Sequence, residues 1–398
     1  MPRKIKVVHL ITRLDFGGAQ KNTLYTVSHL DINRFDVTLL SGPGGTLDPE
    51  AKSLCSSPER PFRLCYLSSL ARSILPWRDL AAFISIWRFL RAAEPDIVHT
   101  HSSKAGILGR LAARLAGVPV ILHTYHGFGF HEGQPWIVRA FYARMEKLCC
   151  RVSAESIFVS EANRRYAVRY GLISPTSGVL IRSGVALAGY PAALPDKAQK
   201  KASLGCRMHK PMVVSIGNLK PQKNPDAFLR VAQRCLQELP ETSFALIGDG
   251  EDRARLEARI LSLGLHGKVH LLGWRRDAAE ILAAADAFVL TSLWEGLPRA
   301  LVEAMRSGLP CVAYATDGVQ DVLKDGQNGF VVPLGDEDLL AQRLLGLLKD
   351  PGKGEALGRA AAASIGTEFD IDFMVRRQEE LYARLAARHP LGKDVAKV

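Results

Sequence analysis

The chain alternates short apolar segments with helical segments along almost its whole length, and this alternation constrains its fold more than any other feature. An apolar segment (KVVHLI) near the amino terminus is followed by a glycine-containing turn (DFGGAQ), a helical segment (KNTLYTVSHL) and a second apolar segment (DVTLLS). Strands that alternate with helices are typical of parallel sheets covered by helices. The sequence therefore predicts an α/β fold built on doubly wound sheets.

The alternation forms two series, and we expect each series to be a Rossmann-like domain. The first has five strand-helix units, with DIVHTHS, VPVILHTYHG and SIFVS as its later strands. The second contains the strands MVVSIGNL, SFALIGDG, VHLLGW, AFVLTSL, PCVAYA and GFVVP. A Pro- and Ala-rich segment (AGYPAALPDKAQKKASLG) separates them, and 398 residues exceed what one core usually supports. We expect domains at residues 1–190 and 191–371.

An amphipathic helix is expected at about residues 372–389, where FMVRRQEELYARLAARH has helical apolar spacing. No strand pattern follows it, so this helix could pack on either domain, including the first. Ligands of open parallel sheets bind at the carboxyl ends of the strands. We therefore expect the two domains to face each other across a cleft lined by strand-to-helix loops.

Cysteine usage and hydropathy indicate a cytoplasmic protein. The seven cysteines are scattered and lack C-x-x-C spacing, which is typical of a reducing compartment. No apolar segment reaches the roughly eighteen residues that a membrane span needs. The first apolar segment ends at Arg13, and we interpret it as a strand rather than a signal peptide.

Positive charge is concentrated in the first half. Residues 1–190 carry 24 lysines and arginines against 13 acidic residues, whereas the remainder carries 28 against 27. This asymmetry favours an anionic partner for the first domain, such as lipid head groups, a lipid diphosphate or nucleic acid. Solvated basic faces without a partner are the alternative.

The segment PWIVRAFYARMEKLCCR combines aromatic residues (Trp136, Phe141 and Tyr142) with arginines and a lysine. This composition suits contact with an anionic membrane, here the inner face of the cell membrane. The alternative is a helix whose aromatic residues face the domain core.

The segment EGLPRALVE places two acidic residues around the start of a helix. Glu295 and Glu303 are separated by seven residues, and Pro298 suits a first helical turn. The free N–H groups of such a turn can bind a diphosphate, and the carboxylates can accept hydrogen bonds from ribose or sugar hydroxyls. Two glutamates at this spacing would also occur by chance as a loop acid and a solvated helical acid.

In its context this segment resembles the E-x7-E signature of glycosyltransferase family four, whose members have the GT-B fold of two Rossmann-like domains. IGNLKPQKN, LIGDGED, LLGW, SGLPCVA and DGQNGFVVP are similar to further family segments, as are LDFGGAQ and HTYHGF in the first half. The resemblance covers most of the chain. It implies a retaining hexosyltransferase with an acceptor-binding first domain and a second domain that binds a nucleotide-diphosphate sugar, with UDP the first expectation and GDP the second.

The resemblance also implies roles for individual residues. Lys223 would neutralise the diphosphate, Glu295 would position the transferred sugar, and Glu303 would bind ribose. His126 would lie beside the reacting sugar, whereas its neighbour His123 is expected to be structural. The other implied donor-binding residues are Gly17, Gly18, Asn218, Gly248, Trp274, Arg275, Gly296, Leu297, Pro298 and Arg299.

Three segments depart from the family pattern. Asn218 stands where members often have arginine, so either the donor phosphates are bound more weakly or Arg275 or Arg299 supplies that positive charge. Gln320 and Asp321 stand where Pro-Glu is frequent, and RSGVA replaces a common linker segment. The first departure bears on phosphate binding and leaves the expected fold unchanged.

Retention in this family is thought to need no protein nucleophile, since the departing phosphate oxygen assists attack on the same face of the sugar. We therefore expect no metal and no cofactor. A D-x-D triplet at residues 370–372 precedes the last helix instead of following a strand, and we interpret it as chance. The expected acceptor is a lipid-linked or saccharide molecule in surface polysaccharide or glycolipid assembly.

Other functions fit parts of the sequence. A sugar phosphorylase or nucleotide-sugar epimerase could use the same scaffold, although the E-x7-E segment favours transfer. A nicotinamide oxidoreductase is disfavoured because DFGGAQ lacks the G-x-G-x-x-G pattern. A non-catalytic protein that binds an anionic ligand or nucleic acid would explain the basic half, but no nucleic-acid-binding motif is present and no nucleic-acid partner is expected.

Overall fold

The computed structural model describes residues 3–59, 61–130, 133–191 and 194–388. The chain forms two compact units, one from Met1–Gly184 with Ile371–Val398 and one from Val185–Asp370. The chain thus passes to the second unit at Val185, before the expected boundary at residue 190. The reason is local bonding, because the Val185 amide donates to the carbonyl of Phe369 at 2.8 Å, within the second unit.

The first unit is built on one parallel sheet of seven strands. In chain order they are β1 (Ile5–Arg13), β2 (Phe35–Gly42), β3 (Arg63–Tyr66), β4 (Ile97–His101), β5 (Val120–Tyr125), β6 (Glu155–Phe158) and β7 (Val179–Leu180). Their order across the sheet is β3-β2-β1-β4-β5-β6-β7. The five expected strands are present. The two that the sequence pattern did not reveal, β3 and β7, are short edge strands with partly exposed residues, so they lack a long apolar signal.

Six helices connect these strands in the described part of the unit. They are α1 (Gly18–His29), α2 (Asp48–Cys55), α3 (Pro76–Ala93), α4 (Ser103–Ala116), α5 (Trp136–Val152) and α6 (Glu161–Arg169). Helices α3 and α5 both pack against α4. A buried ion pair fixes the second of these contacts, since Arg110 of α4 donates to Glu146 of α5 at 2.6 Å. Such a pair is costly to break because either partner alone would leave a buried charge.

The second unit repeats the design with six parallel strands. They are β8 (Met212–Ile216), β9 (Ser243–Ile247), β10 (Val269–Gly273), β11 (Ala287–Leu290), β12 (Cys311–Tyr314) and β13 (Phe330–Val332), in the order β10-β9-β8-β11-β12-β13. All six match expected strands. The helices are α7 (Lys197–Ser203), α8 (Pro225–Glu238), α9 (Arg253–Ser262), α10 (Ala278–Ala284), α11 (Arg299–Arg306), α12 (Val319–Val322), α13 (Glu337–Lys349) and α14 (Pro351–Ala363).

The last helix, α15 (Ile371–Arg388), belongs to the first unit. Its buried residues Met374, Leu381 and Leu385 share a hydrophobic core with Val7 and Phe35 of the first sheet. The expected final residue of this helix, 389, lies outside the described residues. Within the part of the chain that the structure describes, no helix is both long and apolar enough to cross a membrane.

Strand order determines where a ligand can bind in each unit. The chain direction across the sheet reverses beside β1 in the first unit and beside β8 in the second. Loops on either side of such a reversal diverge and leave a crevice at the carboxyl ends of the strands. We therefore expect ligands to bind at the loops after β1, β4 and β5 in the first unit and at those after β8 and β11 in the second.

Candidate functional site

Lys223 and Glu295 form an ion pair between the loops that follow β8 and β11. Lys223 ends a 3-10 turn (Pro221–Lys223), and its aliphatic chain lies over Gly217, where an added Cβ would come within 3.1 Å of the lysine Cγ. The Glu295 side chain is only 7% exposed, against 22% for Lys223. Two residues that are distant in sequence and were both expected in the site are therefore brought together.

Backbone-directed hydrogen bonds hold the same two loops together. The Thr291 hydroxyl donates to the carbonyls of Lys223 and Asn224 at 3.0 and 3.1 Å. The Gln222 amide group donates to the Trp294 carbonyl at 2.9 Å. Because these bonds flank the ion pair in both loops, the position of Glu295 relative to Lys223 does not depend on the ion pair alone. Thr291 and Gln222 were not identified from the sequence.

Glu303 lies in α11, one turn after Arg299, and their charged groups are 3.7 Å apart. Both side chains are largely buried, at 13% and 14% exposure. Burial, followed by the charge of Glu303 and a hydrogen bond to it, raises the pKa of Tyr190 far above its ordinary value. The Tyr190 phenol thus contacts the Glu303 carboxylate, and this contact was not identified from the sequence.

The segment from Glu295 to Pro298 is buried and leads directly into α11 at Arg299. The first N–H groups of a helix have no carbonyl partner within that helix and carry partial positive charge. The backbone of Gly296, Leu297 and Pro298 is therefore positioned beside a helix start that can accommodate an anion.

Two close glycine contacts lie at the loops of this site, one at Gly296 and one at Gly217. A Cβ at Gly318, in the loop after β12, would lie 1.8 Å from the carbonyl oxygen of Gly296. A Cβ at Gly248 would lie 2.0 Å from the carbonyl oxygen of Gly217. Gly248 has a φ of +135°, and its amide donates to the Gly273 carbonyl at 2.9 Å. Gly318 was missed because a single glycine in a loop carries no pattern of its own.

The remaining expected donor-binding residues lie at the same edge of the second sheet. Asn218 lines a small cavity together with Gly217, Lys223 and Ser292. Trp274 follows β10 and is 38% exposed.

Both arginines expected to compensate for Asn218 are paired with carboxylates. Arg275 binds both oxygens of Asp277, at 2.8 and 2.7 Å, and this pairing holds the pKa of Asp277 below its ordinary value. Arg299 lies beside Glu303. For either guanidinium to bind a phosphate, it would have to share or leave its carboxylate partner.

In the first unit, Gly17 and Gly18 form the start of α1, and His126 directly follows β5. Gly18 is exposed, and Gly17 packs so closely on Gln20 that a Cβ would lie 2.6 Å from the glutamine oxygen. The ring of His126 contacts His101, with 3.2 Å between Nε2 and Nδ1. These residues lie at the carboxyl edge of the first sheet, where ligands of such folds bind.

Four histidines of the first unit are buried in β1, β4 and β5. Burial lowers the pKa of His9 to about 3, and it lowers the pKa values of His99, His101 and His123 well below the ordinary range. His123 also bonds the Thr100 hydroxyl at 2.8 Å, inside the sheet. These imidazoles are therefore neutral in the folded protein at physiological pH.

The D-x-D triplet is divided between the units. Asp370 ends the second unit, and Asp372 accepts a hydrogen bond from the Tyr25 hydroxyl at 2.6 Å in the first. Asp372 thus helps to attach α15 to α1.

Two sequence profiles match the chain. The profile of glycosyl transferases group 1 matches residues 196–364, and that of the glycosyl transferase 4-like domain matches residues 17–184. Together they span most of both units.

Curated relatives match over nearly the full length. The UDP-Gal:alpha-D-GlcNAc-diphosphoundecaprenol alpha-1,3-galactosyltransferase of Escherichia coli is 33% identical, over 87% of this chain and 89% of that protein. The lipopolysaccharide core biosynthesis glycosyltransferase LpsE of Rhizobium meliloti is 28% identical, over 97% of this chain and 100% of that protein.

Among solved structures, Anabaena HepE in complex with UDP and glucose superposes with a TM-score of 0.80. The match has 21% sequence identity and covers 96% of this chain and 100% of that one. At this level of identity the match establishes the fold, and the expected GT-B fold is confirmed.

Gly318→Ala should displace the Glu295–Pro298 segment, because the new methyl group would overlap the Gly296 carbonyl. We expect a loss of about 1–3 kcal/mol in the free energy of unfolding, measured by chemical denaturation. Gly346→Ala is the matched control, since Gly346 lies inside α13 with nothing within 4 Å of its Cβ position, and alanine is the better helix former. Equal stability of the two variants would contradict the proposed contact.

The buried histidines should make the protein less stable as pH falls from 7.5 to 5.5. Their folded pKa values lie below the unfolded value of about 6.5, so the unfolded chain binds more protons in this window. Each such histidine should lower the free energy of unfolding by up to about 1.4 kcal/mol per pH unit below that value. Denaturant unfolding at several pH values measures the slope. His123→Gln should reduce the slope, whereas His209→Gln, at an exposed position, should leave the slope unchanged. A free energy of unfolding that did not change with pH would contradict this expectation.

Proposed function

This chain belongs to the family of glycosyl transferases group 1 and is a glycosyltransferase, and from that premise we propose that it is a retaining, metal-independent enzyme of surface polysaccharide assembly. It moves a hexosyl residue from a UDP-sugar to a lipid-linked saccharide. The observation that carries the proposal is the Lys223–Glu295 pair beside the start of α11.

The proposed donor is a UDP-hexose, with GDP as the second choice of nucleotide. The Escherichia coli relative is named for UDP-Gal, and the Anabaena structure contains UDP. In our proposal Glu303 accepts hydrogen bonds from the ribose, and Glu295 with the Gly296–Pro298 backbone positions the sugar. The burial of both carboxylates supports these roles, since a buried carboxylate forms stronger hydrogen bonds than a solvated one.

The proposed reaction breaks the bond between the anomeric carbon and the diphosphate oxygen, and UDP departs with the electron pair. The acceptor hydroxyl attacks the same face of the sugar, and its proton passes to the departing oxygen. Negative charge therefore grows on the diphosphate. Lys223 and the N–H groups at the start of α11 can stabilise this charge without a metal, because both are held in place before the reaction.

In the first unit, Gly18 would bring backbone close to the donor phosphates, and His126 would hydrogen-bond the transferred sugar. The exposure of Gly18 at the start of α1 supports the first role. The position of His126 at the carboxyl end of β5 supports the second.

UDP should raise the melting temperature of the purified protein more than GDP, ADP or TDP, with or without EDTA. A ligand at 100 times its Kd adds about 2.7 kcal/mol to the stability of the folded state. Glu303→Ala should lose most of the UDP shift. The control Glu355→Ala changes an exposed glutamate on α14 and should keep it. The proposed donor would be wrong if UDP at millimolar concentration gave no shift, and metal independence would be wrong if EDTA abolished it.

We also propose that helices α3 and α5 place the first unit on an anionic membrane, where a lipid-linked acceptor is found. Along α3, the exposed residues Trp77, Leu80, Ile84 and Trp87 recur every three or four positions and form an apolar stripe. The opposite face of α3 is buried in the first unit, so the helix is apolar on two sides. A solvent-facing apolar stripe is typical of a surface that contacts another molecule.

Helix α5, which also packs against α4, exposes a second set of apolar residues. Trp136 is 71% and Phe141 59% exposed, so these aromatic residues do not face the core, although Tyr142 packs inward. The exposed basic residues of the two helices are Arg78, Arg88, Arg91, Arg144, Lys147 and Arg151. Aromatic residues among cations suit an anionic bilayer surface, where each basic residue contributes about 1 kcal/mol.

The protein should sediment with vesicles that contain phosphatidylglycerol and bind much less to pure phosphatidylcholine vesicles. A Trp77→Ser, Trp136→Ser variant should bind at least about tenfold more weakly, because it loses two large apolar side chains from the interface. Leu261→Ser is the matched control, since Leu261 is 64% exposed in the second unit. Equal binding by both variants, or equal binding to both lipids, would contradict the proposed surface.

A further inference from the structure

Buried side chains of the first unit form a continuous hydrogen-bonded chain that ends at His126. His126 Nε2 is 3.2 Å from His101 Nδ1, and His101 Nε2 is 3.1 Å from His9 Nδ1. His9 Nε2 is in turn 3.3 Å from the Tyr382 hydroxyl, which donates to Gln378 Oε1 at 3.3 Å. These five residues, which we name the histidine chain, connect α15 through β1 and β4 to the loop after β5.

The direction of each hydrogen bond follows from the Tyr382 hydroxyl. Gln378 Oε1 can only accept, so we assign the single hydrogen of the Tyr382 hydroxyl to that bond, and the hydroxyl oxygen then accepts from His9 Nε2–H and from His99 Nδ1–H, which is 2.5 Å away. A neutral imidazole has one N–H and one acceptor nitrogen. His9 Nδ1 therefore accepts from His101 Nε2–H. His101 Nδ1 in turn accepts from His126 Nε2–H.

His9, His99 and His101 lie close enough together to hold a metal ion. All six of their ring nitrogens, however, have a hydrogen-bond partner, because His99 Nε2 also contacts the Thr124 hydroxyl at 2.7 Å. Their burial favours neutral rings, which an alternating chain of donors and acceptors requires. The arrangement is therefore better explained as a hydrogen-bonded chain than as a metal site.

We propose that His9, His101 and Tyr382 are positioning residues that hold His126 as its Nε2–H tautomer, with Nδ1 as the acceptor nitrogen. We further infer that sugar transfer needs His126 in this form, and this part of the inference rests on the proposed function. His126 Nδ1 is buried in this structure. As an acceptor it can receive a hydrogen bond from a sugar hydroxyl that enters beside it, whereas the other tautomer would present a donor there. The last helix thus contributes to the site through Tyr382 without contacting substrate.

Tyr382→Phe tests the proposal because it removes the hydroxyl oxygen and leaves the ring. In protein with ¹⁵N-labelled histidine, long-range ¹H–¹⁵N spectra report the tautomer of each ring, and His126→Gln assigns the His126 signals. The wild type should show the Nε2–H form of His126, and Tyr382→Phe should show a mixture of tautomers or the Nδ1–H form. His101→Asn interrupts the chain next to His126 and should have the same effect.

The matched control is Tyr25→Phe. Tyr25 also contacts α15 through its hydroxyl, which donates to Asp372 at 2.6 Å, but it lies outside the histidine chain. This variant should keep the wild-type tautomer. In a transfer assay, Tyr382→Phe should lower kcat by about tenfold, the effect of one lost hydrogen bond, with KM for the donor unchanged. Tyr25→Phe should leave both constants unchanged.

The proposal is overturned if His126 keeps the Nε2–H form in both chain variants, or if its tautomer changes while kcat does not. The spectra need neither donor nor acceptor, so they decide the tautomer whether or not the protein transfers sugar. Failure of the proposed function would appear separately, as a wild-type protein that UDP does not stabilise.

Discussion

Parallel pairing of the strands is the constraint on which the rest of this structure depends. Every strand of a parallel sheet ends at the same edge, so the loops that follow the strands are neighbours in space although they are far apart in sequence. In the second unit this brings Lys223, after β8, to Glu295, after β11. The ion pair, the start of α11 and the glycine contacts all lie at that edge because their residues belong to the loops that follow the strands.

Within this frame, close backbone packing and buried charge position the second-unit site. Gly318 allows the loop after β12 to touch the Gly296 carbonyl, and Gly248 allows the same approach to Gly217. Glu295 is buried and would be costly to leave without a cation, so Lys223 stabilises both the loop and the charge. The residues proposed to bind the donor are thus also the residues that hold the loops together.

In the first unit, the hydrogen bonds that lead to His126 join neutral groups. Burial keeps the histidines of β1 and β4 uncharged, and a neutral ring can act as donor and acceptor at once. Satisfied polar networks of this kind restrict a core to one arrangement. That arrangement includes α15. The sequence left this helix free to pack on either domain, and its shared core with Val7 and Phe35 assigns it to the first unit.

The sequence by itself determined the α/β class, eleven of the thirteen strands in the described residues, and the family. It could do so because hydrophobic periodicity and sequence motifs are local properties of consecutive residues. The E-x7-E segment and Lys223 were recognisable for the same reason. Only the tertiary structure decided that Tyr190 contacts Glu303, that Gly318 supports Gly296, and that Tyr382 is connected to His126. Each of these contacts joins residues from different elements, and no local pattern records which elements the sheet topology will bring together.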